Sequence, residues 1–290
     1  MTNSSKVWFI TGASSGLGFA LAKTVIEAGH KVVITARRTE LLEELSKGHE
    51  DHVISLYLDI THQESRALAV QLALAHFGHI DVLVNVAGRG SMGALEEFSE
   101  TEIRAQFDVN FFGTVELTRA VLPHLRAQKS GHIINISSIG GLAALPGIGA
   151  YCASKFALEG WSDALTTELS SLGIKVTTVE PGAFRTNFSG DINPRAVARI
   201  PDYNNVVGSM INHLKENSQK QMGDPNKAAL VIFKAVNSDN PPQRLVLGAD
   251  AYELWDNTIK NRMEDINSWR DFGMDTAFDD AEIIKIGSNH

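Results

Sequence analysis

Seven short runs of apolar, mostly β-branched residues are spread along this 290-residue chain, separated by longer stretches with helical periodicity. The runs lie at 7–10, 32–35, 53–58, 82–85, 132–137, 175–179 and 244–247. Runs of this kind are typical of strands that are buried on both faces of a parallel sheet. The stretches between them predict helices near 17–28, 39–47, 63–77, 101–127, 151–172 and 225–236.

This strand–helix alternation predicts an α/β fold: a Rossmann-like doubly wound parallel β-sheet of about seven strands, flanked by helices on both faces. Because the chain has no Pro-rich or Ser-rich linker and no internal repeat, we expect one domain over 1–290. Ligands of such folds bind at the carboxyl ends of the strands.

Two segments break the alternation. Residues 186–222 form a long connection with a predicted helix near 203–219, which favours a lid or substrate-binding segment. Residues 249–290 extend beyond the last strand, and Trp255, Ile259 and Ile266 recur there at helical spacing with Trp269. This spacing favours an amphipathic packing helix.

Composition and charge limit the possible partners and location. The chain is 43% hydrophobic and 21% charged, with a formal net charge of −8, which argues against a nucleic-acid binder. Its one cysteine, Cys152, fits a reducing compartment. No stretch approaches the ~18 apolar residues of a membrane span, and the N-terminus lacks a signal-peptide core. The sequence therefore predicts a soluble, cytoplasmic protein with no membrane partner.

A glycine motif, Thr-Gly-Ala-Ser-Ser-Gly-Leu-Gly at 11–18, follows the first predicted strand and opens the first predicted helix. Glycines permit a tight turn and close approach of the backbone to phosphates, and the helix N-terminus offers free N–H groups. This context predicts a dinucleotide site. Its predicted contacts are Gly12, Ser14, Ser15, Gly16, Leu17 and Gly18.

The second predicted strand ends in Ala36, Arg37 and Arg38. NAD-binding folds usually place an acid here to hold the ribose hydroxyls. Arginine instead binds a 2′-phosphate bidentately, whereas an acid would repel it. Arg37 and Arg38 therefore predict a preference for NADP(H) over NAD(H). The alternative is a solvated basic turn.

Tyr151 and Lys155 are four residues apart in a predicted helix and share one helical face. An ammonium group beside a phenol stabilises the phenolate and eases proton transfer near neutral pH. The pair alone is equally compatible with an ordinary helix-surface contact.

Together these motifs resemble the short-chain dehydrogenase/reductase family over about residues 6–250. Residues 11–18 match Thr-Gly-x-x-x-Gly-x-Gly, and 85–88 match Asn-Asn-Ala-Gly except that Val86 replaces the second Asn. Ser138 precedes Tyr151 by 13 residues, as in many members. Asn110 matches the helix asparagine of the family. The resemblance implies a catalytic set of Asn110, Ser138, Tyr151 and Lys155.

The resemblance also implies cofactor contacts at several strand ends, with Asp59 beside the adenine and the segment from Pro181 to Thr186 along the nicotinamide. These contacts are Asp59, Ile60, Asn85, Ala87, Gly88, Tyr151, Lys155, Pro181, Gly182, Phe184 and Thr186. Because long helices near 101–127 and 151–172 often form subunit interfaces in this family, a homodimer or homotetramer is expected.

The implied chemistry is carbonyl reduction or its reverse. Tyr151 protonates the developing alkoxide, Lys155 holds the nicotinamide ribose, and Ser138 holds the substrate oxygen. By family analogy, Asn110 helps hold a water that connects Lys155 to solvent. The prediction is an NADP(H)-dependent oxidoreductase that interconverts a ketone or aldehyde and an alcohol.

Apolar residues in the segments expected near the nicotinamide favour a hydrophobic substrate, for example a steroid-like, retinoid-like or aromatic carbonyl compound. They are Leu142, Leu145, Ile148, Phe184, Phe188 and Met210. Two alternatives stay open: an NADP(H)-sensing binding protein without turnover, and an epimerase or dehydratase with the same Tyr/Lys chemistry. No metal site is predicted, since His49 and His52 lie in a connection typical of a solvated loop.

Overall fold

The computed structural model describes residues 5–189 and 193–278. Seven strands form one sheet in the order β3-β2-β1-β4-β5-β6-β7, and every pair of neighbours is parallel. The strands are β1 (Val7–Ile10), β2 (Lys31–Ala36), β3 (Val53–Tyr57), β4 (Val82–Asn85), β5 (Gly131–Ile136), β6 (Ile174–Pro181) and β7 (Arg244–Leu247). The predicted Rossmann-like sheet is confirmed.

Helices cover both faces of this sheet. They are α1 (Gly16–Glu27), α2 (Glu40–Ser46), α3 (Gln63–Phe77), α4 (Glu100–Phe107), α5 (Gly113–Gln128), α6 (Gly149–Leu169), α7 (Ser209–Glu216), α8 (Pro225–Val236), α9 (Ala249–Ser268) and α10 (Arg270–Met274). The helix predicted near 225–236 is observed as α8, and Asp224 caps its start, since the carboxylate accepts from the N–H of Asn226 at 2.8 Å.

The side chains of β1 show why the sheet needs helices on both faces. Trp8 and Ile10 enter a core formed with α1 and α8, whereas Phe9 enters the opposite core, formed with α3, α5 and α6. All three side chains are fully buried. Because successive strand residues point to opposite faces, a continuous apolar run requires two cores.

The order of the sheet reverses at β1, which pairs with β2 on one side and β4 on the other. At such a switch point the following connections leave to opposite faces and open a crevice at the carboxyl ends of the strands. The glycine motif after β1 and the segment after β4 therefore border this crevice.

The structure divides the helix predicted over 101–127. A π-helical turn, Asp108–Phe112, separates α4 from α5 and contains Asn110. Turns of this type recur at functional sites. The sequence pattern does not reveal this one, because it predicts a continuous helix across the turn. A similar turn, Asn204–Gly208, precedes α7 in the predicted lid. The parts of the predicted lid and C-terminal extension at 190–192 and 279–290 lie outside the described residues.

Helix α9, the first helix of the C-terminal extension, buries apolar side chains through its first turns. Ala251 is fully buried, and Trp255 packs against the cluster that contains Leu142. Farther along, Ile266 and Trp269 are 59% and 70% exposed. The packing-helix interpretation therefore fits the apolar contacts at the start of α9. A further contact lies along α9, where the Arg262 guanidinium is 5.6 Å from the centroid of the Phe156 ring on α6.

Hydropathy gives no sign of a membrane span in the described part of the chain. No helix there is both long and apolar enough to cross a bilayer.

Candidate active site at the carboxyl edge of the sheet

The glycine loop after β1 is locked against the end of β4. Gly12 has φ +64°, and a Cβ on it would lie 3.0 Å from the backbone of Ala87. The hydroxyl oxygen of Thr11 accepts from the N–H of Val86 at 2.9 Å and of Ala87 at 3.0 Å. Thr11 belongs to the glycine motif but was not among the predicted site residues.

The start of α1 can receive an anion. Ser15 precedes the helix without a side-chain cap, so the first backbone N–H groups are not taken by it. The methyl group of Thr186 lies 3.4 Å from the position of a Cβ on Gly16, so the segment after β6 passes over this helix start. These features fit a dinucleotide diphosphate.

We predict that Gly18→Ala disrupts this loop, because the new Cβ would lie 2.4 Å from the carbonyl oxygen of Gly12. We expect a lower melting temperature and NADPH affinity weakened by at least about tenfold, corresponding to ~1.4 kcal/mol. Gly160→Ala is the matched control, because a Cβ there meets nothing within 4 Å. Wild-type affinity and melting temperature in Gly18→Ala would contradict this account of the loop.

Arg37 and Arg38 are exposed just after β2 ends at Ala36. The Nη2 of Arg38 lies 3.5 Å from the Oγ of Ser14 in the glycine loop, so the basic pair borders the predicted cofactor site. The Arg37 charge also acts on Asp59 at the end of β3. Burial of Asp59 is the largest single effect and opposes ionisation, but hydrogen bonds from Thr61 together with the charges of His62 and Arg37 lower the pKa of the carboxyl.

Two predicted cofactor residues point their side chains into the protein. Asn85 is buried, and its Nδ2 donates to Thr118 at 3.0 Å and to Asn135 at 2.9 Å. Ile60 is packed in the core with α3 and α5. These two residues reach the strand edge only through their backbones, because both side chains are buried in the interior.

Tyr151 and Lys155 are both buried on α6, at 7% and 5% exposure. The Nζ of Lys155 donates to the carbonyl oxygen of Ile136 at 2.7 Å and lies 6.0 Å from the Tyr151 ring centroid. Burial lowers the pKa of Lys155 to about 8, so the ammonium form predominates at neutral pH.

The sequence predicted that Lys155 lowers the pKa of Tyr151, but in the structure this pKa is raised. Burial raises the pKa, and a hydrogen bond with Ser138 offsets this only in part. The phenol of Tyr151 therefore retains its proton at neutral pH. That protonation state is the one required of a proton donor.

Ser138 and Tyr151 meet above Gly140. The Oγ of Ser138 accepts from the N–H of Gly140 at 3.0 Å. A Cβ on Gly140 would lie 3.3 Å from both the Ser138 Oγ and the Tyr151 ring. Two hydroxyl groups on different elements thus converge where they can bind one oxygen atom.

Asn110 joins the segment after β4 to α6. Its amide accepts from the N–H of Arg89 and donates to the Arg89 carbonyl, both at 2.9 Å, and its Nδ2 lies 3.1 Å from the Ser154 Oγ. A Cβ on Gly88 would lie 3.4 Å from Asn110 Oδ1 and 3.7 Å from Lys155 Nζ. Asn110 therefore fixes the loop beside Lys155, and the π-helical turn directs its side chain there.

Residues that were not predicted as site residues hydrogen-bond the segment after β6. The Asp250 carboxylate, at the start of α9, accepts from the N–H of Ala183 at 2.7 Å. The N–H of Gly182, which follows Pro181, donates to Leu247 at 2.8 Å. Asp250 was missed because its partner is 67 residues away in the sequence.

The first residues of the predicted lid lie near the glycine loop and near Tyr151. Thr186 lies by the glycine loop, and the Phe188 ring is 5.5 Å from the Tyr151 ring. Asn193 hydrogen-bonds both the N–H of Gly90 and the carbonyl of Phe188, tying this segment to the end of β4. Phe184 instead packs against the core beneath.

No group of three or more His, Cys, Asp or Glu side chains in the described parts of the chain is arranged to hold a metal ion.

A family profile described as short chain dehydrogenase matches residues 6–196. "Oxidoreductase BOA17" from Botryotinia fuckeliana is 36% identical over 94% of this chain and 100% of its own length. "3-Ketodihydrosphingosine reductase" from Bacteroides thetaiotaomicron is 40% identical over 84% of this chain and 88% of its own.

A solved short-chain dehydrogenase from Streptomyces avermitilis superposes with a TM-score of 0.87 at 40% identity, covering 95% of this chain and 100% of that one. Other similar solved structures hold a nicotinamide dinucleotide, NAD in one and NADP or a derivative in others.

Proposed function

This chain belongs to the short-chain dehydrogenase family, and we propose that it is an NADP(H)-dependent oxidoreductase that interconverts a carbonyl compound and an alcohol. One observation carries the proposal: the hydroxyls of Ser138 and Tyr151 converge beside the buried ammonium of Lys155, at the sheet edge that holds the glycine loop. A binding protein without turnover has no need of this arrangement.

Each of the four residues has a role in the proposed reaction. Ser138 and Tyr151 bind the substrate oxygen, and Tyr151 donates its proton as negative charge develops there. Lys155 binds the ribose hydroxyls next to the nicotinamide, and its charge stabilises the phenolate that remains. Asn110 holds the loop beside Lys155. The nicotinamide, when bound, supplies the hydride.

The proposed preference for NADP(H) rests on Arg37 and Arg38. They border the glycine loop, and the two positions directly after Ala36 carry arginine in place of an acid that would repel a 2′-phosphate. Similar structures bind NAD or NADP, which supports a nicotinamide dinucleotide for this chain. The proposed preference for NADP(H) over NAD(H) therefore rests on Arg37 and Arg38 and not on the similar structures.

Replacing both arginines by alanine is predicted to raise the Kd of NADPH by about tenfold or more and to leave that of NADH nearly unchanged. A charge-assisted hydrogen bond contributes ~1.5–3 kcal/mol, which matches this loss. Fluorescence titration with each cofactor measures both constants. Arg126→Ala, an exposed change on α5, is the control. A wild-type protein that prefers NADH would refute the proposed specificity.

The proposed substrate is a hydrophobic ketone or the corresponding alcohol. Phe188 packs near Tyr151, and the lid contributes Val207 and Ile211 to an apolar cluster with Met92 and Ile148. Leu142 does not join this surface, because it packs with α9. The reductase from B. thetaiotaomicron is named for 3-ketodihydrosphingosine, which supports a ketone substrate.

A substrate panel with NADPH tests this function. It should contain long-chain, steroid-like, retinoid-like and aromatic ketones beside small charged keto acids. We expect turnover of hydrophobic ketones. Activity confined to the keto acids would refute the substrate class. NADPH binding with no turnover of any carbonyl compound would favour the sensing protein.

The single domain, the cytoplasmic location and the homodimer or homotetramer stay predictions.

A further inference from the structure

A cluster of charged groups, of which Glu159 and Glu180 are buried, continues along α6 from Lys155. Glu159 follows Lys155 by one helical turn and is 5% exposed. Its carboxylate accepts from Arg244 Nη1, at the start of β7, at 2.6 Å. The same guanidinium donates to Glu180 on β6 at 3.1 Å and to Asp163 on α6 at 2.6 Å. We call these four residues the Arg244 cluster.

The Arg244 cluster holds three carboxyl groups around one guanidinium. Glu180 is fully buried, and burial together with the nearby Glu159 charge raises its pKa to about 8. Glu180 therefore carries a proton at neutral pH. Arg244 makes its shorter bond to Glu159, one helical turn from Lys155. Burial raises the pKa of Glu159, and the Arg244 guanidinium opposes that effect and so favours the carboxylate form.

Glu159 also faces the loop that carries Ser138. A Cβ on Gly141 would lie 3.1 Å from Glu159 Oε1 and 2.7 Å from the hydroxyl of Ser137. The carboxylate thus lies between α6 and the residue preceding Ser138. Arg244, which comes from β7 on the far side of β6, fixes it in this position.

We propose that Glu159 is a positioning residue of the site: its carboxylate, fixed by Arg244, keeps Lys155 in the ammonium form. The inference rests on the proposed oxidoreductase function, in which Lys155 must be charged. The ionisable groups that face Glu159 are Lys155 and Asp163 from α6, Glu180 from β6 and Arg244 from β7.

The electrostatics agree with this geometry. Burial lowers the pKa of Lys155, and the Glu159 charge opposes that effect. Removing the charge lowers the pKa of Lys155 further. The lysine is charged only below its pKa. When that pKa falls, the loss of reductase activity on the alkaline side therefore begins at a lower pH.

The test compares pH–rate profiles for reduction of one hydrophobic ketone by wild type and Glu159→Gln. We expect the alkaline limb of kcat/KM to move down by roughly one pH unit, since a nearby opposite charge shifts a pKa by about that much. Glu159→Asp, which keeps the charge, should restore most of the wild-type profile. Asp163→Asn is the matched control, because it removes another partner of Arg244 on the same helix.

Calorimetric titration of the substrate-free protein with NADPH gives a readout that does not depend on turnover. NADPH affinity should decrease as the pH rises through the range of the alkaline limb. Glu159→Gln should move this decrease to lower pH by the same amount as it moves the limb of kcat/KM. If Glu159→Gln does not fold, Arg244→Gln replaces it. Without Arg244 the pKa of Glu159 rises, so the carboxyl becomes neutral and the same downward shift is expected.

The outcomes separate the two proposals. Unchanged pH profiles of turnover and NADPH binding in a folded Glu159→Gln would overturn the role of Glu159. An equal shift in Asp163→Asn would mean that loss of another carboxylate of the Arg244 cluster has the same effect as loss of Glu159. That result would also overturn the specific role of Glu159. A wild-type protein that binds NADPH but reduces no carbonyl compound would refute the proposed function, while the binding titrations would still decide the role of Glu159.

Discussion

Tyr151→Phe is expected to lower kcat for carbonyl reduction by about 10²–10⁴-fold, the usual contribution of a general acid. The change removes the hydroxyl that meets Ser138 and leaves the ring, which packs 5.5 Å from Phe188. The Kd of NADPH should therefore change by less than about threefold, or ~0.6 kcal/mol. Steady-state kinetics and fluorescence titration measure the two effects separately.

Tyr252→Phe is the control for Tyr151→Phe. It removes a phenolic hydroxyl from α9, where the residue is 52% exposed and outside the proposed site. We expect wild-type kinetics from this control. If Tyr151→Phe keeps its kcat, another group donates the proton and the assignment of Tyr151 is wrong.

Lys155→Met is expected to impair both turnover and cofactor binding. Methionine resembles the lysine side chain in length but has no charge, so the phenolate loses its stabilisation and the ribose loses its proposed donor. We expect kcat/KM to fall by about 10³-fold, or ~4 kcal/mol, and the Kd of NADPH to rise by about tenfold. The loss of cofactor affinity distinguishes this variant from Tyr151→Phe.

The same variant should be as stable as wild type or more stable. Burial lowers the pKa of Lys155 from 10.5 to about 8, so the unfolded chain binds this proton more tightly. Wild-type stability therefore falls as pH drops from about 10.5 to 8, and the full cost of ~3 kcal/mol is present at neutral pH. Methionine avoids this cost, but leaves the Ile136 carbonyl without its donor, which costs ~1–3 kcal/mol.

Thermal unfolding at neutral pH checks this prediction. Lys175→Met, which removes an exposed lysine bonded to the Asp239 carbonyl, controls for the loss of a positive charge. A Lys155→Met protein that melts well below wild type would mean that the ammonium stabilises the fold, contrary to the effect of its burial.

The sequence by itself determined the sheet and the candidate site at its edge. Continuous apolar runs such as 7–10 require burial on both faces, and this requirement is local enough to read from composition and period. The spacing of Tyr151 and Lys155 and the glycine motif are also local, because a helix or a tight turn fixes their geometry within a few residues. These features predicted the family that the comparisons show.

The tertiary structure decided what depends on contacts between distant segments. The helix predicted over 101–127 is interrupted at Asn110, whose side chain bonds Arg89 and Ser154 on other elements. Asn85 turns inward because Thr118 and Asn135 supply its partners.

The Arg244 cluster shows the same limit most clearly. Glu159, Glu180 and Arg244 come from α6, β6 and β7, and nothing in their separate sequence contexts indicates that they meet. Local periodicity specifies which residues are buried. Only the order of the strands and the packing of α6 on them specify which charged residues become neighbours, because that pairing depends on segments up to 85 residues apart.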